Sequence, residues 1–145
     1  MVLIDYTVSL SDDSSNSYFS GRSGDILKNM ITNVLDFKID EIYYTHIVKC
    51  KPLNSQAPSN SELDSCIGYL HTQIEFVKPK VIVTLGEDAY KYFTSENENF
   101  KTVRGHVIDL KNYKLIPIMH PTHLLRNPND KKIAFGDLKT IKSCL

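Results

Sequence analysis

Hydrophobic and polar positions alternate in blocks along the chain, and the first blocks have the periods of a strand, a helix and a second strand. Residues 2–10 mix apolar and β-branched side chains, which predicts a strand, and the serine-rich residues 11–17 predict a mobile polar loop. Over residues 25–34 apolar side chains recur with the period of an amphipathic helix. Residues 42–48 again predict a strand, and residues 49–58 predict a proline-punctuated loop.

The next block, from residue 59, contains a sequence signal for the start of a helix. Ser59 and Glu62 have the spacing of a capping box, in which the hydroxyl and the carboxylate each pair with an exposed amide of the first helical turn. Apolar positions over residues 63–77 then predict a long helix. The continuous apolar run at residues 81–85, bounded by Gly86, predicts a strand that is covered on both faces.

The remaining blocks repeat this alternation of strand and helix. A helix is predicted over residues 87–93, a second buried strand over residues 115–119 and a closing amphipathic helix over residues 130–142. The pattern predicts an α/β fold with a mostly parallel sheet. In such sheets ligands bind outside the carboxyl ends of the strands, which places Gly86 and His120 at the expected crevice.

Composition narrows the classes of protein that fit this pattern. A chain of 145 residues predicts one domain, residues 1–145. Its 17 basic and 17 acidic side chains cancel, so binding of nucleic acid requires a local basic face rather than a global field. Three widely spaced cysteines argue against a secreted disulfide framework, and no apolar run is long enough for a membrane span. A cytoplasmic protein without a signal peptide or membrane contact is expected.

The most informative segment is residues 117–126, Pro-Ile-Met-His-Pro-Thr-His-Leu-Leu-Arg. It places a histidine, a rigid proline turn, two leucines and an arginine at the end of a predicted buried strand. This combination suits a loop that pushes into DNA and contacts one extruded base. A strand end followed by a polar turn with a chance histidine explains the segment equally well when it is taken alone.

Six motifs occur in one order along the chain, and together they resemble the family-four uracil-DNA glycosylases of the uracil-DNA glycosylase superfamily. The resemblance covers roughly residues 18–145. The motifs are Phe-Ser-Gly-Arg-Ser-Gly at 19–24, Thr-His-Ile-Val-Lys-Cys-Lys-Pro at 45–52, Glu62-Leu63 with Cys66, Pro-Lys-Val-Ile-Val-Thr-Leu-Gly at 79–86, Val-Arg-Gly at 103–105 and His-Pro-Thr-His-Leu-Leu-Arg-Asn-Pro at 120–128.

The resemblance implies a three-layer sandwich with a central four-stranded, mostly parallel sheet flanked by helices, and a base-flipping enzyme that hydrolyses the bond between uracil and deoxyribose. His120 matches the histidine that hydrogen-bonds the uracil carbonyl and stabilises the departing anion. Pro121 and Thr122 match the rigid turn beside it. Leu124 matches the wedge that fills the space of the flipped nucleotide, and Phe19 matches the aromatic ring that stacks on the base.

The same resemblance implies a basic rim that contacts phosphates. Such a rim does not require net positive charge on the whole protein. Its members are expected to be Arg126, Lys49, Lys51 and Arg22.

The first motif of the family, Gly-Glu-x-Pro-Gly, is not retained. Residues 5–9 are Asp-Tyr-Thr-Val-Ser, so Tyr6 stands at the place of the acid, and a phenol with a pKa near ~10 is a poor base at neutral pH. Asp5, Asp12 and Asp13 are the nearby carboxylates. They replace the missing acid only if the loop refolds, and the alternative is that they are solvated loop acids.

In the second motif His46 stands where the family has an asparagine that reads the edge of uracil. Asparagine offers a donor and an acceptor side by side, whereas a neutral imidazole offers one of each on opposite edges. His46 therefore fits contact with a different base or with an abasic sugar. The alternative is a hydrogen-bonded core histidine at the end of a strand.

Family members also hold an iron–sulfur cluster with four cysteines, two of which match Cys50 and Cys66. The upstream pair is absent from this chain, which begins at the first strand, and two thiolates do not hold a four-iron cluster. Cys144 is expected to be a surface thiol in the last helix. No cluster and no other metal or cofactor is therefore expected.

Two functions are compatible with the motifs that this chain retains and lacks. The first is a DNA-binding protein that engages a flipped base, with weak, altered or absent base excision. The second is a non-enzymatic accessory protein in replication or repair, whose partners are DNA and other replication or repair proteins. A small-molecule or nucleotide-binding α/β protein is disfavoured because residues 85–88, Leu-Gly-Glu-Asp, lack the glycine spacing of phosphate loops.

Overall fold

A computed structural model of the protein describes residues 1–51 and 56–145. These residues form a single sheet between two layers of helices, so the α/β three-layer sandwich is confirmed. The predicted loop at 49–58 includes residues 52–55, which lie outside the described residues. The strands are β1 (Val2–Thr7), β2 (Tyr43–Val48), β3 (Val81–Leu85), β4 (Ile108–Asp109) and β5 (Lys114–Ile118).

The sheet has the order β2-β1-β3-β5-β4. Strands β2, β1, β3 and β5 are parallel, and β4 pairs antiparallel with β5. The chain runs from β1 outward to β2 and then crosses back to β3 on the other side of β1. The strand order therefore reverses between β1 and β3, and doubly wound sheets place their ligand crevice at the carboxyl ends of the strands at this point.

Helices connect the strands and cover both faces. Helix α2 continues as a π-helical turn at Met30–Val34, and 3-10 turns occur at Ile39–Glu41 and Pro128–Asp130. Within the described residues none of the helices has the length and apolar character needed to cross a lipid bilayer. The helices are α1 (Leu10–Ser15), α2 (Gly21–Asn29), α3 (Asn60–Val77), α4 (Gly86–Thr94), α5 (Phe100–Val103), α6 (Pro121–Arg126) and α7 (Lys131–Ser143).

Alternate residues of the central strands belong to two separate hydrophobic clusters, one on each face of the sheet. Leu3 in β1 packs on the face that is covered by α2, α6 and α7, whereas its neighbours Val2 and Ile4 pack on the face covered by α3, α4 and α5. All five residues of β3 are buried, as a strand with helices on both sides requires. Asp5 follows in the same alternation and points to the α2 and α6 face, where the candidate site lies.

The predicted capping box is confirmed at the start of α3. The Ser59 amide donates to Oε2 of Glu62 at 2.7 Å, and the Glu62 amide donates to Oγ of Ser59 at 3.3 Å. The helix ends at Val77, after which Lys78 adopts a left-handed conformation. The local signal alone thus defines the first turn of the longest helix.

The prediction of a mobile loop at residues 11–17 is wrong, because α1 occupies most of it. The helix begins after Ser9, whose Oγ accepts the amide of Asp12 at 3.0 Å. The Asp12 carboxylate is buried and accepts the amide and the hydroxyl of Ser20 at 2.7 and 2.6 Å. Asp12 is therefore a structural side chain rather than a solvated loop acid, whereas Asp13 is exposed, as expected.

The predicted sheet of four strands is one strand too small. The four parallel strands are present, and β4 adds a fifth, with Ile108 opposite Leu115 and Asp109 opposite Lys114. A strand of two residues has too few positions to produce a hydrophobic period, so only the pairing with β5 defines it.

Candidate functional site

A crevice of about 360 Å³ opens at the carboxyl ends of β1, β3 and β5. It lies at the reversal of strand order that the sheet topology defines, and the loops after the three strands form its walls. We refer to this cavity as the crevice. The polar and aromatic side chains that line it are Asp5, Tyr6, Asp12, Phe19, Tyr44, Lys51, Glu87, Asp88 and His120.

An aspartate and a histidine meet inside the crevice. Oδ2 of Asp5 lies 3.0 Å from Nε2 of His120 and accepts the hydroxyl of Tyr44 at 2.9 Å, while Oδ1 accepts the Tyr6 amide at 2.6 Å. Asp5 is only 8% exposed. The expectation that Asp5 is a solvated loop acid is therefore wrong, because Asp5 lies in the buried part of β1 and accepts hydrogen bonds from three donors.

The turn after β5 fixes the tautomer of His120. His120 is the N-cap of α6, Pro121 is its first residue, and Nδ1 of His120 accepts the amide of Thr122 at 3.1 Å. Since Nδ1 accepts, Nε2 carries the ring proton of the neutral imidazole and donates it to Asp5. Pro121 is buried and lacks an amide hydrogen, which suits the first position of a helix.

The two groups shift each other's pKa. Burial raises the pKa of Asp5, but the hydrogen bond and charge of His120, the charge of His46 and the Tyr6 amide outweigh it and lower the pKa below 3.8. Burial lowers the pKa of His120, and the hydrogen bond and charge of Asp5 outweigh that effect and raise it above 6.5.

Gly86 makes room for the contact between β1 and β5. Strand β3 lies between them, and Gly86 follows it with a φ of +88°. A Cβ at this position would lie 3.1 Å from Cβ of His120. A side chain here would be strained and would press on the histidine, so the predicted position of Gly86 at the crevice is explained by this close approach.

Tyr6 also reaches the crevice but does not replace the family's acid. Its ring stacks on Tyr92 with centroids 5.1 Å apart and planes inclined by 15°. Burial, the hydrogen bond with Tyr92 and the neighbouring charge of Asp88 raise the pKa of Tyr6 above 10. A phenol with a raised pKa does not act as a base at neutral pH, and Tyr6 instead lines the crevice as an aromatic side chain.

Phe19 lies where a stacking ring is predicted, on the wall of the crevice. It is buried, its φ is +61°, and its ring lies 4.7 Å from that of Tyr44. A Cβ on Gly24 would lie 2.2 Å from the carbonyl carbon of Phe19, so α2 needs a glycine there for Phe19 to keep its position. The Gly-x-x-Gly spacing of this motif thus has a packing reason.

His46 is buried, but it is not the hydrogen-bonded core histidine of the alternative interpretation. It is 3% exposed, and its Nε2 has no hydrogen-bond partner in residues 1–51 and 56–145. Burial lowers the pKa of His46, which favours the neutral ring. The imidazole contacts Tyr44 at 4.9 Å and lines a second cavity of about 480 Å³, which shares Val8, Phe19 and Tyr44 with the crevice.

The predicted basic rim is only partly formed. Lys49 donates to Thr45 Oγ1, the His46 carbonyl and Gln73 Oε1 at 2.6–2.7 Å, and burial lowers its pKa to about 8. Lys49 is therefore an internal cross-link in this structure, and its ammonium group is not free to contact a phosphate unless these hydrogen bonds open.

The other three members of the rim are open to a ligand. Arg22 at the start of α2 and Arg126 at the end of α6 are exposed. Lys51 is half-buried and lines the crevice.

Leu124, the predicted wedge, is not presented to solvent in this structure. Leu124 is 2% exposed and packs in the core beneath α6. The next residue, Leu125, is 39% exposed on the same short helix. The helix turns Leu125, and not Leu124, toward solvent.

Sequence reasoning missed Tyr44, whose hydroxyl donates to Asp5 and whose ring separates the two cavities. One signal was present: Tyr44 and His46 are two apart in a strand and therefore share a face. Burial and then the hydrogen bond and charge of Asp5 raise the pKa of Tyr44, so it remains a donor at neutral pH.

The cysteines do not fit a four-iron cluster. Cys66 packs against the core on the α3 side of the sheet, whereas Cys144 packs on the opposite face, and Cys50 is exposed. In the part of the chain that the structure describes, no three metal-ligating side chains converge. A four-iron cluster needs four ligands, which the cysteines of this chain do not supply together.

The fold and the site define a class of protein: a doubly wound α/β protein with a polar crevice where the strand order reverses, closed by a histidine that begins a helix. The family model of the uracil DNA glycosylase superfamily matches residues 9–139. The chain belongs to the uracil-DNA glycosylase superfamily, and the resemblance predicted from its motifs is confirmed.

Individual relatives agree with this membership. A type-4 uracil-DNA glycosylase of Sulfurisphaera tokodaii is 36% identical over 139 residues, which cover 90% of this chain and 63% of the relative. A type-4 uracil-DNA glycosylase of Thermotoga maritima is 34% identical over 136 residues, 91% of this chain and 70% of the relative. The chain thus spans about two thirds of the length of these relatives. A DNA polymerase of Bacillus phage SP01 is 28% identical over 128 residues, 88% of this chain and 14% of the polymerase.

Proposed function

We propose that this protein binds DNA and receives an extruded nucleotide in the crevice, with little or no excision of uracil. The single observation that carries this proposal is the contact between Asp5 and His120. A glycosylase histidine that serves uracil has to donate its ring proton to the base. Here that proton is already donated to a carboxylate of the same chain.

The negative charge of Asp5 opposes the excision of uracil more strongly than the loss of the hydrogen bond from His120 to the base does. Uracil leaves as an anion, and a base that approaches Nε2 of His120 has to come close to Oδ2 of Asp5. Two like charges about 4 Å apart repel by about 4 kcal/mol at an effective dielectric constant of about 20. Such a penalty in the transition state corresponds to a rate about a thousand-fold lower.

DNA is proposed as the ligand because of the family and of the groups that surround the crevice. The relatives named above are DNA glycosylases and a DNA polymerase. Arg22 and Arg126 are exposed near the two helices that border the site, and Leu125 is an exposed apolar side chain beside them. Basic groups position a phosphate backbone, and an apolar side chain can fill the space of an extruded base.

The experiment compares binding and cleavage on one set of oligonucleotides: single-stranded, fully paired, mismatched and uracil-containing. Binding is measured by fluorescence anisotropy, and excision by strand breaks after alkaline treatment. We expect binding to all of them that weakens steeply with salt, and no or slow cleavage at uracil. Absence of binding at low salt, or uracil excision at the rate of an authentic type-4 enzyme assayed beside it, would contradict the proposal.

A second function, a non-enzymatic part of a replication or repair assembly, is favoured by one observation. The matching region occupies 14% of the phage DNA polymerase, so a segment related to this chain occurs inside a replication protein. In this reading the fold is a platform for DNA or protein contact. Binding without cleavage of any substrate would support it over the enzymatic alternative.

A further inference from the structure

We propose that the crevice selects a positively charged nucleobase, such as an N-alkylated purine in DNA, over neutral bases and over uracil. The inference rests on the proposed function, because it assigns a substrate class to the same crevice. It is carried by the buried Asp5 carboxylate, the aromatic walls and an unpartnered ring nitrogen behind them.

The first argument is the sign of the charge around the crevice. Among the described residues that line it, Asp5, Asp12, Glu87 and Asp88 are acidic, Lys51 is basic, and the imidazole of His120 is paired with Asp5. Glu87 is exposed and pairs with Lys91 at 2.7 Å, so Asp5 and Asp12 are the carboxylates that water screens least. Such a lining opposes an anionic leaving group and attracts a cation.

The second argument is the aromatic lining. Tyr6, Phe19 and Tyr44 each contribute a ring to the crevice, and Phe19 and Tyr44 lie 4.7 Å apart. The faces of aromatic rings carry negative charge density and bind planar cations more strongly than neutral rings. A carboxylate beside aromatic faces is therefore an environment that complements a delocalised cation.

The third argument is the unpartnered Nε2 of His46. The His46 side chain lines the second cavity, which shares Phe19 and Tyr44 with the crevice, and its Nε2 is buried and has no hydrogen-bond partner in the described residues. A buried ring nitrogen without a partner costs free energy unless a ligand supplies one. A purine has a second ring and polar groups on its far edge, so it extends toward this nitrogen further than a pyrimidine does.

A cationic base leaves without forming an anion, so the repulsion that Asp5 exerts on departing uracil does not arise. In an N7-alkylated guanine the bond between C1′ and N9 breaks, and its electron pair neutralises the positive charge of the purine, which leaves as a neutral molecule. Water adds to the sugar cation at C1′ and releases one proton to solvent. No anion develops on the base, so the departing base needs no hydrogen-bond donor on its carbonyl, while Asp5 favours the positive charge that moves to the sugar.

The test uses duplexes that carry one 7-methylguanine, one guanine or one uracil at the same position. Binding is measured by anisotropy, and release of the free base by liquid chromatography with mass detection, after subtraction of spontaneous loss without protein. We expect tighter binding of the 7-methylguanine duplex than of the guanine duplex by about ten-fold, and base release from it that exceeds release of uracil.

Two variants assign the effect to the buried carboxylate. Asp5→Asn keeps the shape and removes the charge, and we expect the preference for 7-methylguanine to disappear. Asp64→Asn removes an exposed carboxylate on α3, away from the crevice, and we expect the preference to remain. Circular dichroism of each variant establishes that it is folded, and Asp5→Glu, which retains the charge, is expected to keep part of the preference if Asp5→Asn does not fold.

The outcomes separate this inference from the proposed function. Equal binding of the three duplexes by the wild-type protein overturns the preference for a cation but leaves DNA binding intact. A preference that survives in Asp5→Asn overturns the role of Asp5. Absence of binding to every duplex overturns the proposed function together with the inference.

Discussion

The carboxylate of Asp5 lies 3.0 Å from Nε2 of His120, although the two residues are 115 positions apart in the sequence. They belong to β1 and to the turn after β5, two strands that are separated by β3, and the contact depends on Gly86 at the end of that strand. Under the proposed function, the pair occupies the place where a glycosylase histidine meets its base. Its charge, hydrogen bonds and pKa shifts are the basis of the expected low rate of uracil release, the expected preference for a cationic base and the expected pH dependence of stability.

The pair is expected to make stability depend on pH. The lowered pKa of Asp5 contributes stability above 3.8 that is lost as the pH falls through the lowered value. The raised pKa of His120 contributes stability below 6.5 that is lost as the pH rises through the raised value. Both contributions are complete between these two pH values. We expect Asp5→Asn to lower the free energy of unfolding by about 1–3 kcal/mol near pH ~5, and by less near pH ~9.

Urea unfolding of the wild-type protein and of Asp5→Asn at the two pH values measures this difference. Asp64→Asn serves as the control, because its carboxylate is exposed on α3 and should change the free energy little at either pH. An equal loss at both pH values for Asp5→Asn would mean that the two groups are not electrostatically coupled.

The two neighbouring leucines of α6 are expected to have opposite phenotypes. Leu124→Ala removes a buried core side chain and should cost about 2–5 kcal/mol of stability. Leu125→Ala removes an exposed side chain and should change stability by no more than about 0.5 kcal/mol, but it should weaken binding to DNA. Thermal unfolding and anisotropy on the two variants test this; a stable Leu125→Ala protein with unchanged DNA affinity would exclude Leu125 as the wedge.

The basic residues are expected to divide into phosphate contacts and an internal cross-link. Each phosphate contact steepens the plot of log K against log salt concentration by about 0.9. Arg22→Gln and Arg126→Gln should therefore each reduce the slope by about 1. Lys49→Gln should leave the slope unchanged and lower stability, because its ammonium group bonds to Thr45, His46 and Gln73. A change of slope in the Lys49 variant would show that its cross-link opens to bind DNA.

Gly24 is expected to be required for packing, whereas Gly68 is not. Gly24→Ala places a Cβ 2.2 Å from the Phe19 carbonyl carbon, so the backbone of Phe19 has to move, at a cost of about 1–3 kcal/mol. Gly68→Ala in α3 meets nothing within 4 Å and should stabilise the protein by about 0.5–1 kcal/mol. Thermal unfolding of both variants measures the contrast, and a neutral Gly24→Ala would contradict the account of the Phe19 position.

The sequence predicted the parts of the fold that depend on local or periodic signals. The buried run Val81–Leu85 and the capping box at Ser59 are where they were expected. It failed where a tertiary contact decides the structure. Helix α1 consists mostly of polar residues and forms around the buried Asp12, and β4 exists only through its pairing with β5.

For the site, too, the sequence predicted what local signals define and missed what depends on tertiary contacts. The family resemblance implied that Phe19, His46 and His120 belong to one site, and the predicted strand before His120 placed that residue at the edge of the sheet. The roles of Asp5 and Tyr44 depend on a contact between strands far apart in sequence, which no local pattern contains. The choice between Leu124 and Leu125 depends on the rotation of a six-residue helix, which is too short to define a buried stripe.

Asp5 accepts the ring proton that His120 would otherwise donate to a base, and this hydrogen bond is expected to suppress uracil release. The most direct test is the single-turnover rate of uracil release from a uracil-containing duplex by the wild-type protein, by Asp5→Gly and by Asp5→Gly with His120→Ala. Glycine is the residue of the family motif at this position. We expect Asp5→Gly to raise the rate at least about ten-fold and the second substitution to remove the gain. An equally low rate in Asp5→Gly, with the variant folded and bound to DNA, would contradict the claim.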